Sequence, residues 1–355
     1  MDDHELQTQT QKQQSQTLQL PLAAAGRRDM ARIAILLAAA AVLCLMSSYH
    51  SSLPFQSLQV LNFSAIGPPD THEGRELERI LRDASTENKT VIITTLNKAW
   101  AEPNSMFDLF LESFRVGQGT HHLLRHVVVV CLDATAFSRC SEVHDRRRCY
   151  FLRTTGTDFS GEKLFMSQDY LRMMWRRIDF LASVLQLGYN FLFTDADIVW
   201  LRDPFTRLDA NADFQIASDF FNGDSNSVRN AVNGGFTFVR ANNRTIEFYK
   251  FWYSSRQMFP GKHDQDVFNK IKLGPYIEKI GIKMRFLDTV YFGGFCQPSR
   301  DMNRVCTMHA NCCIGQANKV KDLRQVLEDW RVYLSGHRRE MRWRSPENCR
   351  RSMKK

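Results

Sequence analysis

Two stretches of this chain, Thr90-Val-Ile-Ile-Thr-Thr-Leu96 and His126-Val-Val-Val-Val-Cys-Leu-Asp133, are continuously apolar or β-branched. Strands of that kind offer no face to water, so they belong to a parallel sheet covered by helices on both sides. Between them Phe107, Phe110, Leu111 and Phe114 recur at helical spacing. Strand, helix and strand in that order make a βαβ unit with a right-handed crossover, and the fold class is mixed α/β.

A third apolar run, Phe191-Leu-Phe-Thr-Asp195-Ala-Asp197-Ile-Val-Trp200, is broken by two acids. It follows a helix that Ser167 caps, whose apolar face is Leu171, Met174, Trp175, Ile178, Leu181, Ala182 and Leu185, and which Gly188 ends. In an extended backbone Asp195 and Asp197 project to the same side, with the small Ala196 between them leaving room for a ligand. Carboxylates this close repel unless a cation lies between them, and oxygen ligands suit Mg or Mn, which can also hold a diphosphate. A ligand site there agrees with the rule that open α/β sheets bind outside the carboxyl ends of their strands. The plain alternative is a strand end with two solvated acids.

Other polar groups join this candidate site. Arg177, at the edge of the helix's apolar face, is the arginine placed to meet an anionic ligand. Asn233-Gly234-Gly235 reads as a tight turn ahead of a strand, letting backbone approach a ligand closely. Asp264, Gln265 and Asp266, in a cluster that opens a helix, are either helix caps or partners for sugar hydroxyls. In Met308-His309-Ala-Asn-Cys-Cys313, His309 is a candidate third metal ligand and Lys319 a candidate phosphate contact. A further strand is expected over 213–218, with helices over 245–256 and 320–334.

At 355 residues and 43% hydrophobic content, the chain can bury a full core around one large domain or two small ones. Residues 1–29 carry seven glutamines between Gln7 and Gln19 and read as a disordered cytosolic tail. Residues 30–49 hold an apolar core from Ile33 to Met46 preceded by Arg27, Arg28 and Arg32, with no Lys or Arg after it until Arg75. This predicts a signal-anchor with the N-terminus cytosolic and the body lumenal, a single-pass type II protein, with a cleaved signal peptide as the competing reading. Residues 50–87 read as a lumenal stem, 88–335 as the single catalytic domain, and 336–355 as a basic tail. That tail has eight Lys and Arg from Arg338 onward against Glu340 and Glu347, a solvated run or a surface for an acidic glycan or membrane. No aromatic-interleaved basic motif supports nucleic-acid binding. Outside the apolar segment the eight cysteines, from Cys131 to Cys349, suit an oxidising lumen. Cys140 with Cys149 would close a local loop, and the 296 to 313 group could form another cluster. Sequons at Asn62, Asn88 and Asn243 fit the same compartment.

The ordered motifs Leu192-Phe-Thr-Asp-Ala-Asp-Ile-Val-Trp-Leu-Arg-Asp-Pro-Phe205, Asn233-Gly-Gly-Phe236, His263-Asp-Gln-Asp266 and Met308-His-Ala-Asn-Cys-Cys313 resemble the plant nucleotide-diphospho-sugar transferase domain of glycosyltransferase family 77. The resemblance implies a GT-A fold, a Golgi membrane location and transfer, with retention, from a UDP-sugar to a cell-wall polysaccharide or glycoprotein. Pentoses such as xylose or arabinose are the favoured donors. By the same resemblance Asp195, Asp197 and His309 hold Mn or Mg, and Thr94, Thr95 and Asn97 face the nucleotide. Asn233 to Gly235 and Asp264 to Asp266 face the donor sugar. Gly234 stands where the family often has Thr, and the spacing from His309 to Gly315 and Lys319 is longer than in related retaining transferases. Two other readings compete: an aspartyl-phosphate phosphatase with Asp195 as nucleophile and Asp197 as general acid, and a non-catalytic lumenal glycan-binding protein.

Overall fold

Side chains along the apolar strands alternate between two separate cores. The computed structural model describes residues 71–153, 159–163, 166–336 and 342–354. The helices are α1 (His72–Ala84), α2 (Lys98–Ala101), α3 (Met106–Val116), α4 (Ala134–Val143), α5 (Gln168–Gln186), α6 (Asn243–Ser255), α7 (Asp264–Ile271), α8 (Pro275–Ile280), α9 (Gln316–Leu334) and α10 (Glu347–Ser352). The strands are β1 (Thr90–Leu96), β2 (Val127–Cys131), β3 (Cys149–Phe151), β4 (Asn190–Thr194), β5 (Ile198–Trp200), β6 (Phe214–Phe220), β7 (Ala231–Val239), β8 (Met284–Phe286), β9 (Phe292–Gly294) and β10 (Thr307–His309).

Val91 and Ile93 of β1, Val128 and Val130 of β2, and Phe191 and Phe193 of β4 enter a core shared with α1, α5, α6 and α7. Their neighbours Ile92, Val127, Val129 and Leu192 enter the opposite core with Phe107, Phe110 and Phe114 of α3. The period-two pleat delivers alternate residues to two buried faces, so these strands need no polar side.

The main sheet runs β3-β2-β1-β4-β7-β6-β8. Pairing is parallel from β3 through β4 and between β6 and β8, while β7 lies antiparallel to both β4 and β6. Every strand but β7 therefore points the same way, a mostly parallel mixed sheet that fits the expected class. Strand order reverses at β1, with β2 on one side and β4 on the other, and this switch point opens a crevice at the carboxyl edge. A second sheet, β5-β10-β9, is formed where the chain leaves β4. It packs through Val199, Leu201, Met308 and Ala310 on Leu323, Val326, Leu327 and Trp330 of α9.

Several helix ends follow their sequence signals. Ser167 accepts a hydrogen bond from Tyr170 N at the start of α5, and Asn242 forms a capping box with Thr245 before α6.

Both domain boundaries differ from the sequence reading. The stem expected over 50–87 ends earlier, because α1 buries Leu77, Ile80, Leu81 and Ala84 in the main core. The C-terminal segment is not a solvated tail. Cys349 is disulfide-bonded to Cys313, its N–H donates to the buried Asp322 at 2.8 Å, and Arg344 reaches the buried Asp329 at 2.6 Å. Cys140 pairs with Cys149 as the spacing suggested, and Cys296 pairs with Cys312. Cys131 and Cys306 remain buried thiols. The expected anchor at 30–49 and sequon Asn62 lie outside the described residues, among which no helix is long and apolar enough to cross a membrane.

Replacing Cys349 by Ser should lower stability by roughly 2–4 kcal/mol, the usual worth of a loop-closing disulfide. It should also make residues 342–354 the first site of limited proteolysis. An unchanged melting temperature and cleavage pattern would show that the side-chain contacts alone hold this segment.

Candidate active site

The two acids of the third apolar run are brought together by a turn and not by strand alternation. β4 ends at Thr194, Asp195-Ala196-Asp197 turns, and β5 starts at Ile198. Ile198 N donates to Asp195 O at 3.2 Å, closing the turn. Asp195 N donates to Gly235 O at 2.7 Å and Ala310 N to Asp197 O at 3.0 Å, so each acid is tied to a different sheet. Because β10 pairs with β5, His309 lies opposite Ile198 and next to the turn. Ligand atoms of Asp195, Asp197 and His309 all lie within 4.8 Å of one another.

Charge around this cluster is balanced from two directions. Lys319 Nζ is 2.6 Å from Asp197 Oδ2, and His309 Nε2 is 3.2 Å from Asp197 Oδ1. Burial alone would raise the Asp197 carboxyl, but Lys319 and His309 hold it well below the usual carboxylate range. On the other side Arg177 donates to Asp195 at 3.0 Å and to Asp264 at 2.6 Å, with its guanidinium over the Phe193 ring. Burial, outweighing Arg177, pushes Asp195 up. Asp264 is buried too, yet Arg177 and His263 bring it below its ordinary value. His309 is desolvated, which disfavours its charge, but Asp197 outweighs this and raises it.

Two carboxylates and one imidazole make a donor set that suits a divalent cation of the Mg or Mn type. The residues fit such an ion, since the buried Asp197 Oδ1 has beside it, among the described residues, only the His309 imidazole at 3.2 Å, itself a candidate ligand. Gly235 leaves the space open: a Cβ there would sit 2.6 Å from Asp195 Oδ2 and 2.7 Å from His309 Cε1. Asn233-Gly234-Gly235 is not the turn its composition suggested. It forms a bulge inside β7, where the register jumps from Ile216 opposite Thr237 to Ala217 opposite Asn233.

Gln265 Oε1 accepts from Gly234 N at 2.9 Å, joining the first turn of α7 to the bulge. His263, and not the acids after it, supplies the side-chain cap of α7. Asp266 turns away, with its side chain 43% exposed and 3.5 Å from His263. Of the three groups expected at the end of β1, Thr95 lines a small apolar cavity with Arg177, Met173, Met174 and Leu152. Thr94, alternate to it on the strand, is fully buried on the other face with its hydroxyl unpartnered. Asn97 caps α2 and donates to Phe159 O and Gly161 O, so its polar atoms are engaged locally. Lys319 is paired with Asp197 here.

Asp219 and Asn311 received no individual role in the sequence reading. Asp219 is the penultimate residue of β6, Asp195 directly follows β4, and these strands point the same way. An apolar strand terminating in an acid was the signal that marked Asp195, and Ile216-Ala217-Ser218-Asp219 repeats it in weaker form.

A mostly parallel α/β sheet with acids, an imidazole and two cations gathered at its carboxyl edge has the features of a protein that binds a phosphorylated ligand with a metal. The model of the nucleotide-diphospho-sugar transferase family matches residues 122–323. An uncharacterized Arabidopsis thaliana protein is 61% identical over 279 residues, covering 78% of this chain and 74% of that relative. Two further Arabidopsis thaliana relatives are more distant. A UDP-D-xylose:L-fucose alpha-1,3-D-xylosyltransferase is 29% identical, over 30% of this chain and 32% of the relative. An arabinosyltransferase is 26% identical, over 58% and 47%. This chain belongs to the nucleotide-diphospho-sugar transferase family, and it is a nucleotide-sugar-dependent glycosyltransferase.

Two outcomes test the site. Gly235→Ala should weaken Mn(II) binding roughly tenfold or more, because its methyl must displace Asp195 or His309, with a stability cost of about 1–3 kcal/mol. Equal affinity would mean that the cation lies elsewhere. His309 and Asp195 are both raised in the metal-free protein, so ligation must release protons, and Mn(II) affinity should climb as pH rises through and above 6.5. Calorimetry in buffers of different ionisation enthalpy reads that release; its absence between about pH 6 and 8 would remove His309 from the ligand set.

Proposed function

We propose that this chain transfers a pentose, xylose or arabinose, from a UDP-sugar to a cell-wall polysaccharide or glycoprotein, with retention at the anomeric carbon and with Mn or Mg as cofactor. The observation that carries the proposal is the Asp195, Asp197 and His309 cluster with Lys319 and Arg177 beside it. The pentose is supported by the names of the xylosyltransferase and arabinosyltransferase relatives. A GT-A assignment agrees with a single antiparallel strand in an otherwise parallel sheet. The Golgi location and type II topology rest on the apolar segment at 30–49 and its basic flank.

The chain's own residues have distinct tasks in this reaction. A divalent cation held by Asp195, Asp197 and His309 would supply Lewis-acid stabilisation of the negative charge on the departing diphosphate. Asp197 is ionised and ready to ligate throughout the physiological range. Lys319 is placed to exchange its pairing with Asp197 for a phosphate oxygen when the ligand enters, and Arg177 fixes the orientation of Asp195. The Gly234-Gly235 bulge and Gln265 form the wall beside the cluster where the sugar would lie. For displacement on the same face, the leaving diphosphate can accept the acceptor's proton, so no protein base is required.

Family membership favours transfer over both rivals. The phosphatase reading also asks Asp197 to serve as a general acid, whereas Lys319 and His309 hold it ionised.

A panel of UDP-sugars and GDP, with Mn(II) or EDTA, should show thermal stabilisation by one UDP-sugar that disappears with EDTA and in Asp197→Ala. Slow hydrolysis of that same donor should fall in parallel. Stabilisation that persists in EDTA would refute the metal-dependent reading. A folded protein that responds to no nucleotide would favour glycan binding without catalysis.

A further inference from the structure

Asp219 is joined to three separate motifs of the site. Its Oδ1 accepts from Asn233 Nδ2 at 2.9 Å and from Asn311 Nδ2 at 2.7 Å, and its Oδ2 accepts from Gln265 Nε2 at 3.0 Å. The oxygen of each carboxamide is engaged as well. Asn233 Oδ1 accepts from Gly235 N at 2.9 Å, Gln265 Oε1 from Gly234 N at 2.9 Å, and Asn311 Oδ1 from Cys296 N at 3.1 Å. Each amide therefore stands between a backbone N–H, which can only donate, and a carboxylate, which can only accept. Only one orientation of each satisfies both ends.

We propose that Asp219 is a positioning residue of the transferase: it fixes three carboxamides at once and so holds the β7 bulge, the first turn of α7 and the loop after His309 in one register around the donor sugar. This inference rests on the nucleotide-sugar reading. The three motifs come from different parts of the fold. Asn233 is on the main sheet, Gln265 on a helix, and Asn311 follows the strand that brings His309 to the cluster. No hydrogen bond among the described residues joins Asn311 directly to Asn233 or Gln265, so the carboxylate is the shared partner.

Neutralising that carboxylate removes more than one hydrogen bond. In Asp219→Asn an NH2 group replaces one acceptor oxygen and faces amide donors, so at least one carboxamide must rotate and leave Gly234, Gly235 or Cys296 N–H without its acceptor. A displaced sugar wall acts on the sugar and not on the nucleotide.

The test compares full-length wild type, Asp219→Asn and Asp213→Asn. Asp213 is a control of the same chemistry at the opposite end of β6, where it accepts from Asn242, Arg244 and Lys283 N, away from the cluster. Affinities for UDP and for each UDP-sugar are measured with Mn(II), together with donor hydrolysis and melting temperature. In Asp219→Asn, UDP binding should be kept, the extra affinity given by the sugar should fall roughly tenfold or more, and hydrolysis should fall about a hundredfold. Asp213→Asn should lower the melting temperature while leaving the ratio of UDP-sugar to UDP affinity unchanged. If Asp219→Asn keeps that ratio and turnover within about twofold, the positioning role is overturned while the transferase reading stands. If wild type binds neither UDP nor any UDP-sugar, the donor reading fails, and the role is decided on the protein alone by side-chain amide NMR of Asn233, Gln265 and Asn311. Resonances of all three amides moving in Asp219→Asn would support the positioning role, and unchanged resonances would overturn it.

Discussion

Mutual repulsion between Asp195 and Asp197 is the constraint on which the site depends. Two carboxyl groups share one ligand-sized space, and the protein offsets the cost of charge there with cations placed on opposite sides. Arg177 approaches Asp195 from α5, while Lys319 approaches Asp197 from α9. Arg177 itself is buried and carries a second acid, Asp264. The arrangement thus runs from Asp264 through Arg177, Asp195 and Asp197 to Lys319, alternating in sign except where the two acids meet. A divalent cation belongs at that one break.

Strand direction explains why so many distant residues converge there. With β1, β4 and β6 pointing the same way, their carboxyl ends deliver Thr95, Asp195 and Asp219 to one edge. β7 runs against them, so it is its amino-terminal part that reaches this edge, and Asn233 lies there. His309 needs a different device. It arrives on a small second sheet whose pairing with β5 sets it beside the turn, and the core under α9 holds that sheet in place.

How far the sequence could be read depended on whether a feature was local. The strands at 90–96 and 127–131 and the helices around Phe110 and Ile178 were legible because an apolar period survives any tertiary context. The cluster of Asp195, Asp197 and His309 was legible from chemistry, although the geometry assumed for the acids was wrong: a turn, and not a continuous strand, brings them together. The bulge at Gly234-Gly235 depends on pairing with β6, which no local pattern encodes. Thr94 and Thr95 are adjacent in sequence and face opposite cores, so motif proximity alone could not separate them. At both ends charge masked burial. The polar surroundings of α1 make its helical pattern of Leu77, Ile80 and Leu81 read as stem, and the basic residues after 336 hid a segment whose anchors are Cys349 and the buried acids Asp322 and Asp329.

Cys312 and Cys313 are neighbours in sequence that lead to opposite parts of the chain, one back to Cys296 and the other forward to Cys349. Cys312 takes up a left-handed backbone conformation, φ 47°, which helps the two side chains diverge. The two neighbours therefore close loops of different length on opposite sides of themselves. Cys312 pairs with a cysteine 16 residues before it, whereas Cys313 pairs with one 36 residues after it. Without Cys349 in place, Cys313 is a free thiol beside a cysteine that has its own partner, and exchange would join Cys296 to the wrong neighbour. The loop that carries His309 and Asn311 is therefore locked only when both pairings are correct, so the site depends on the segment around Cys349 as well as on its own residues.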